Sequence, residues 1–292
     1  MAATTTSAPT TIATPAPQTT PKILRYGWRY LVMAAATVVT LIPVWWVVIA
    51  SVSAGSSAFS AALWPQHWYF GNYRALFQGQ FPRWLLNSLV VSLSTAIISV
   101  FITALSAYAF SRMKFFGRRF GIIVIFIIQM FPASMYLVAI YSLLIKIHLE
   151  GTLAGLVLVY SGAQAFNIWL MRSYINSIPK ELDEAALVDG ATRWQVFWRM
   201  IVPLSRPMLV TLFIWSVMTS FNEYMIASLV LQGGPETFTV AVGLRSLIYN
   251  QFATNWTLFA AGAVIATFPL MIIYLALQRQ LISGMTRGAV NL

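Results

Sequence analysis

The amino-acid sequence predicts an all-α integral membrane protein, a bundle of six transmembrane helices, and three observations carry that prediction. Charged residues make up 9% of the 292-residue chain and hydrophobic residues 59%, whereas soluble domains are about a quarter charged. Mean hydropathy is +0.75. Six segments are almost free of charge and long enough to cross a bilayer, which takes about 20 residues per helix.

In chain order the segments are Leu31 to Ser53, Trp84 to Phe110, Phe120 to Ile145, Thr152 to Met171, Met208 to Leu231 and Trp256 to Leu277. They lack the alternation of barrel strands, and unpaired backbone groups cost several kcal/mol in lipid, so each is expected to be helical. Residues 1–21 are Thr, Ala and Pro without a charged side chain; such a stretch buries too little apolar surface to fold and is expected to be a disordered tail. Lys22, Arg25 and Arg29 precede an apolar run of full spanning length, which marks an anchor rather than a cleaved signal. Pro43, Pro132 and Pro269 fall within spans or at their ends, where a missing backbone donor kinks a helix.

Placing the tail inside assigns fourteen Lys and Arg to the cytoplasmic face, including Arg112, Lys114, Arg118, Arg119, Arg172 and Arg199, against Arg74, Arg83, Lys146 and Arg245 outside. That bias predicts both termini in the cytoplasm. The net charge of +11 is therefore read as topology, not as a nucleic-acid surface. Two outward loops, Ala54 to Arg83 and Gln232 to Asn255, are long enough to touch something; Trp64, Trp68, Tyr69, Phe70 and Tyr73 in the first suit a lipid interface or a partner.

Catalytic material is sparse. The chain has no cysteine, and its two histidines, His67 and His148, are far apart, so no metal site is expected. No phosphate-binding Gly-x-x-x-x-Gly-Lys-Ser/Thr loop and no Gly-x-Ser-x-Gly elbow occurs. The chain is expected to bind no cofactor; if its transport is ATP-driven, the ATPase is another protein.

The stretch 178–207, IPKELDEAALVDGATRWQVFWRMIVPLSRP, holds four of the seven acidic residues. Pro179 suits a first helical turn, and Glu181, Asp183 and Glu184 put negative charge where the helix dipole is positive. Gly190 permits the left-handed conformation that ends that helix, Thr192 is placed to cap a second, and Pro203 and Pro207 limit its continuation. The expected result is helix, sharp turn, helix on the cytoplasmic surface.

The pattern EAALVDGATRWQVFWRMIVP resembles the EAA loop of binding-protein-dependent ABC importers, with Glu184, Ala185, Ala186, Gly190 and Pro203 in register and Met200 and Val202 replacing the usual Ile and Leu. From Tyr30 onward the chain is similar to carbohydrate-type permeases, specifically the MalG-like subunit of maltose-type transporters. That resemblance implies a type I importer (MetI-like) fold, with about 84–278 as its core domain. It implies docking of the loop, through Glu184, Ala185, Ala186, Asp189, Gly190 and Pro203, on a separate ATPase that holds ATP and Mg. It further implies a second permease, two ATPase subunits and an extracytoplasmic solute-binding protein. Gly284, Thr286 and Gly288 match a C-terminal tail that reaches the ATPase, though this ending also reads as a frayed terminus. Asn250, Gln251 and Asn255 match a loop that probes the binding protein.

Glu223 is the one carboxylate inside an expected span, which makes it a functional candidate. About 1.5 Å per residue from Met208 puts it roughly 22 Å along, nearer the outer surface, so it and Pro132 are read as structural or gating residues. Gln164, Asn167, Trp169 and Tyr136 are generic sugar-contact candidates, but in the maltose-type family most sugar contacts lie on the partner permease. The function expected is import of a sugar or oligosaccharide, maltose/maltodextrin-like or trehalose-like. An ABC permease for another small solute and an ion-coupled secondary transporter are the alternatives. An integral-membrane enzyme would need a catalytic cluster that the chain lacks.

Overall fold

A computed structural model describes residues 22–55, 64, 67–162, 164–249 and 254–288, with the side chains of 22–26, 119, 133–134 and 281–288 outside the description. The expected disordered tail, 1–21, also lies outside it. The chain divides into two compact units, residues 1–46 and 47–292. In the first, the helix α1, Lys22–Ser51, runs through Pro43, and its side chains from Trp28 to Trp46 are exposed. The same helix continues into the second unit, where Ile49 and Ala50 are buried.

Among its described residues, the regular elements of the second unit are all helices. After α2 (Gly71–Gln78) comes the long α3 (Phe81–Arg112), then α4 (Arg118–Gln129), α5 (Ala133–Lys146), α6 (Leu153–Gly162) and α7 (Ala165–Ser177). Next are the short α8 (Lys180–Val188), α9 (Arg193–Val196) and α10 (Val202–Leu204), followed by α11 (Arg206–Asn222), α12 (Met225–Val230), α13 (Val240–Ile248) and α14 (Trp256–Gly288). Helix α3 is the central post. It buries a stripe of small residues, Ser88, Ser92, Thr95, Ala96, Ser99, Thr103, Ala104, Ala107 and Ser111, and against it pack α6, α7 and α11. Association in lipid relies on close van der Waals approach, and small side chains permit that approach.

Of the six expected spans, three are continuous: Gly27–Ser51, Phe81–Arg112 and Trp256–Gln280. Each of the other three is divided into two shorter helices. The third divides into α4 and α5 at Pro132, which has extended backbone (ψ 138°) and caps α5; a ring without an N–H stops the ladder there. The fourth divides into α6 and α7, bent by 51°. The fifth divides into α11 and α12 at Glu223, also extended (ψ 126°). Broken backbone at membrane depth is tolerated only where protein or a wet cavity satisfies it.

At the end opposite residues 178–207, the loop after α12 folds back on α3. Trp84 Nε1 donates to the Pro235 carbonyl (2.8 Å), and Asn87 Nδ2 donates to the carbonyls of Glu236 and Phe238 (both 2.9 Å). Helix α13 lies on the indole: a Cβ added at Gly243 would stand 2.2 Å from Trp84 ring atoms. The indole is buried and hydrogen-bonded, so it cannot swing aside. Gly243→Ala is expected to lower stability by about 1–3 kcal/mol through overpacking, read as a lower melting temperature in detergent, whereas Gly162→Ala, with open space around it, leaves that temperature in place.

Candidate functional site

The segment 178–207 folds as expected in outline. Pro179 precedes α8 with φ −55° and ψ 133°, and Gly190 takes φ +87°, the left-handed region that glycine enters without penalty. The turn is closed by Gly190 N–H to Leu187 O (3.1 Å) and Ala191 N–H to Ala186 O (2.9 Å). Thr192 then caps the second helix through a reciprocal pair, Gln195 N–H to Thr192 Oγ1 (3.3 Å) and Thr192 N–H to Gln195 Oε1 (2.7 Å), a capping box that satisfies two orphan donors. The second helix ends at Leu204, between Pro203 and Pro207. The chain widens into a π turn over Phe197–Ile201, continues through Pro203 to Leu204, and turns by 76° into α11. The π turn absorbs the backbone mismatch that the proline imposes.

Helix α8 leaves most of its surface exposed. Glu184, Ala185 and Asp189 are exposed and Ala186 half-buried, and beside them stand the apolar Leu182, Leu187 and Val188, the last 87% exposed. Asp183 alone among its carboxylates turns inward. It meets Arg112 at the end of α3, with Nε to Oδ2 at 2.5 Å and side chains 4% and 10% exposed. Arg112 Nη2 also donates to the Ile178 carbonyl (2.7 Å). Ser111 Oγ donates to Asn176 Oδ1 (2.6 Å), and Tyr108 OH donates to the Arg193 carbonyl (3.2 Å). Around these links a core of Ala107, Ile175, Ile178, Val196, Phe197, Ile201 and Leu212 is closed. The two-helix segment is thus packed and hydrogen-bonded against α3, α7 and α11.

Sequence reading counted Arg112 among the positive-inside charges and Asp183 as a dipole charge, and so missed the pair. The available signal was position: Asp183 and Ala186, three residues apart, share one side of the helix, and a carboxylate on an inward face needs a partner.

A second polar site lies where the fourth and fifth spans break. A cavity of about 310 Å³ is lined by Thr95, Tyr136, Tyr160, Gln164, Asn167, Trp215, Thr219 and Glu223, among others. Glu223 serves as a helix cap: its carboxylate accepts the N–H groups of Ile226 (2.9 Å) and Ala227 (3.1 Å) and the hydroxyl of Tyr160. Gln164 donates to Ser99 Oγ (2.9 Å) and accepts from Asn167 Nδ2 (2.6 Å). Tyr136, Gln164 and Asn167 are therefore brought together, whereas Trp169 lies against Phe126 and Phe166. Removing the carboxylate with Glu223→Ala is expected to lower stability by about 1–2 kcal/mol, the worth of a cap; Glu223→Gln, which retains an acceptor, recovers at least half of the lost melting temperature.

The remaining candidates are dispersed. Asn255 Oδ1 accepts from Leu258 N–H (2.9 Å) and from Thr257 Oγ1 (3.0 Å), capping α14. Asn250 and Gln251 lie outside the described residues. Gly284, Thr286 and Gly288 continue the backbone of α14, and their side chains lie outside the description.

A bundle of apolar helices with a cavity of about 310 Å³ at its broken spans and an exposed helix face at one end fits a membrane transport protein. Residues 99–287 match the family model for the binding-protein-dependent transport system inner membrane component, and the chain belongs to that family. It is 33% identical over 275 residues to the galactooligosaccharides transport system permease protein GanQ of Bacillus subtilis (strain 168), covering 92% of this chain and 97% of the relative. It is 40% identical over 214 residues to the maltose/maltodextrin transport system permease protein MalG of Vibrio parahaemolyticus serotype O3:K6, covering 71% and 72%. Among solved structures, a bacterial ABC transporter involved in the import of the acidic polysaccharide alginate matches with TM-score 0.76 at 24% identity, over 90% of this chain and 99% of that one. That likeness shows the fold alone.

Proposed function

We propose that the chain is one permease of an ATP-driven importer that carries a sugar or oligosaccharide, maltose/maltodextrin-like or trehalose-like, across the cytoplasmic membrane. The observation that carries this reading is the geometry of 178–207: Glu184, Ala185, Asp189 and the apolar Leu187 and Val188 face outward on a segment that Arg112 and Asp183 fasten to the spans. Such an exposed apolar and acidic patch is a docking surface, and the ATPase, which binds ATP and Mg, is its occupant. The names of the relatives support the sugar class. The Lys and Arg bias supports both termini, and the docking surface, facing the cytoplasm.

The assembly so read contains this chain, a second permease, two ATPases and an extracytoplasmic solute-binding protein. The tail through Gly284, Thr286 and Gly288 reaches toward the ATPase, and the loop carrying Asn250, Gln251 and Asn255 faces the binding protein. Closure of the ATPase dimer pushes α8, and the fastened α3, α7 and α11 tilt the spans between inward- and outward-facing states. Affinity purification of the tagged chain from its native membrane in mild detergent, with mass spectrometry of its companions, tests this. Recovery of an ATPase and a second permease is expected; a chain recovered alone and active in uptake after reconstitution would establish a secondary transporter instead.

A further inference from the structure

The cavity at the broken spans contains an unanswered polar group. Thr95 is 2% exposed, its Oγ1 has no hydrogen-bond partner, and it lines the cavity. A buried hydroxyl left unpaired in a membrane protein is unfavourable unless something visits it. The neighbouring polar groups do not answer it, because they are committed to one another. Glu223 is held by Tyr160 and two backbone N–H groups, and Gln164 by Ser99, the Tyr160 carbonyl and Asn167. This mutual bracing occupies the neighbouring polar groups and leaves the buried Thr95 hydroxyl unpaired. The other wall is aromatic: Tyr136 is half-buried and Trp215 is 56% exposed.

We propose that this cavity is a sugar-binding subsite carried by this chain itself, in which Thr95 and the braced Asn167 hydrogen-bond sugar hydroxyls and Tyr136 and Trp215 cover the apolar face of a pyranose ring. The chemistry favours a neutral polyol. An anion would face the Glu223 carboxylate, and a purely apolar solute would leave Thr95 unpaired. The volume of about 310 Å³ stands at the lower end of ligand pockets, enough for one or two sugar rings rather than a long oligosaccharide. All three broken spans contribute to its lining, and broken spans at membrane depth are where transporters expose polar groups to a solute.

This inference rests on the sugar reading proposed above, and the test separates the two. The complete transporter, with its binding protein, is reconstituted in liposomes, and import of maltose, maltotriose, galactobiose and trehalose is measured alongside ATP hydrolysis. For Thr95→Val, of the same shape without the hydroxyl, sugar imported per ATP hydrolysed is expected to fall about fivefold to tenfold, the worth of one desolvated hydrogen bond. Thr95→Ser restores it. A damaged fold would lower import and hydrolysis together and leave their ratio fixed. An unchanged ratio in Thr95→Val, for whichever reason, overturns the subsite. A wild-type transporter that hydrolyses ATP but imports none of the four sugars overturns the sugar reading beneath it.

Discussion

Arg112→Met, with Asp183 left in place, is expected to destabilise the loop-bearing end of the protein by about 3–5 kcal/mol, the penalty for stranding one member of a buried ion pair. Both side chains are almost fully enclosed, and neither Asp183 oxygen has a hydrogen-bond donor, so Arg112 is the charge that compensates it. The same substitution removes the Nη2 bond to the Ile178 carbonyl, which seats the start of the docking segment. Replacing both residues, as Arg112→Met with Asp183→Leu, removes the charge problem and is expected to recover most of the loss. Intrinsic tryptophan fluorescence reads the transition, since Trp194 and Trp198 stand on the segment itself. A single variant that melts within a degree or two of the wild type would mean that the pair does not hold α8 to α3.

Gly190→Pro is expected to abolish coupling while leaving the chain in the membrane. Proline locks φ near −65°, and the backbone here is at +87°; the substitution also deletes the N–H that bonds Leu187 O at 3.1 Å. The turn must then open, and α8 no longer presents Glu184 and Val188 in register with α9. Binding-protein-stimulated ATP hydrolysis by the assembled transporter is expected to fall by more than about tenfold, consistent with the loss of a central interface contact. Gly190→Ala gives the contrast. A Cβ there meets nothing within 4 Å, so only the left-handed strain of about 1–2 kcal/mol remains, and partial activity survives. Full assembly and full stimulation in Gly190→Pro would show that this turn is not part of the coupling path.

Much of the architecture was legible in the chain because hydropathy is additive along it: each apolar run is long enough for lipid, and each became helix. The breaks were harder to see. Pro132 announced the first, but Glu223 reads as a single charge in a long apolar run until its carboxylate is seen capping α12, with Tyr160 supplied from 63 positions away. The docking segment was readable nearly residue by residue, since Pro179, Gly190 and Thr192 act locally on backbone geometry. Pro203 and Pro207 bracket the end of the second helix at Leu204, whereas the π turn over Phe197–Ile201 had no counterpart in the sequence reading. Asp183 and Arg112 stand 71 positions apart in sequence, and their pairing is a product of how α8 lies on α3. Thr95 carries no sequence signal at all: a threonine in an apolar run commonly bonds its own helix, as Thr211 and Thr267 do, and only the structure shows the Thr95 hydroxyl without a partner.

The absence of native cysteine makes one measurement especially direct. A single cysteine placed at Val188, which is 87% exposed, is labelled with a short thiol-directed photocrosslinker in membranes containing the whole transporter. A second variant carries the label at Tyr249, 75% exposed and beyond the opposite end of the fifth span. Docking of 178–207 on the ATPase predicts an ATPase adduct from Val188 and none from Tyr249. An active transporter in which Val188 yields no ATPase adduct, or in which Tyr249 yields it instead, would contradict the docking assignment and with it the proposed route of coupling.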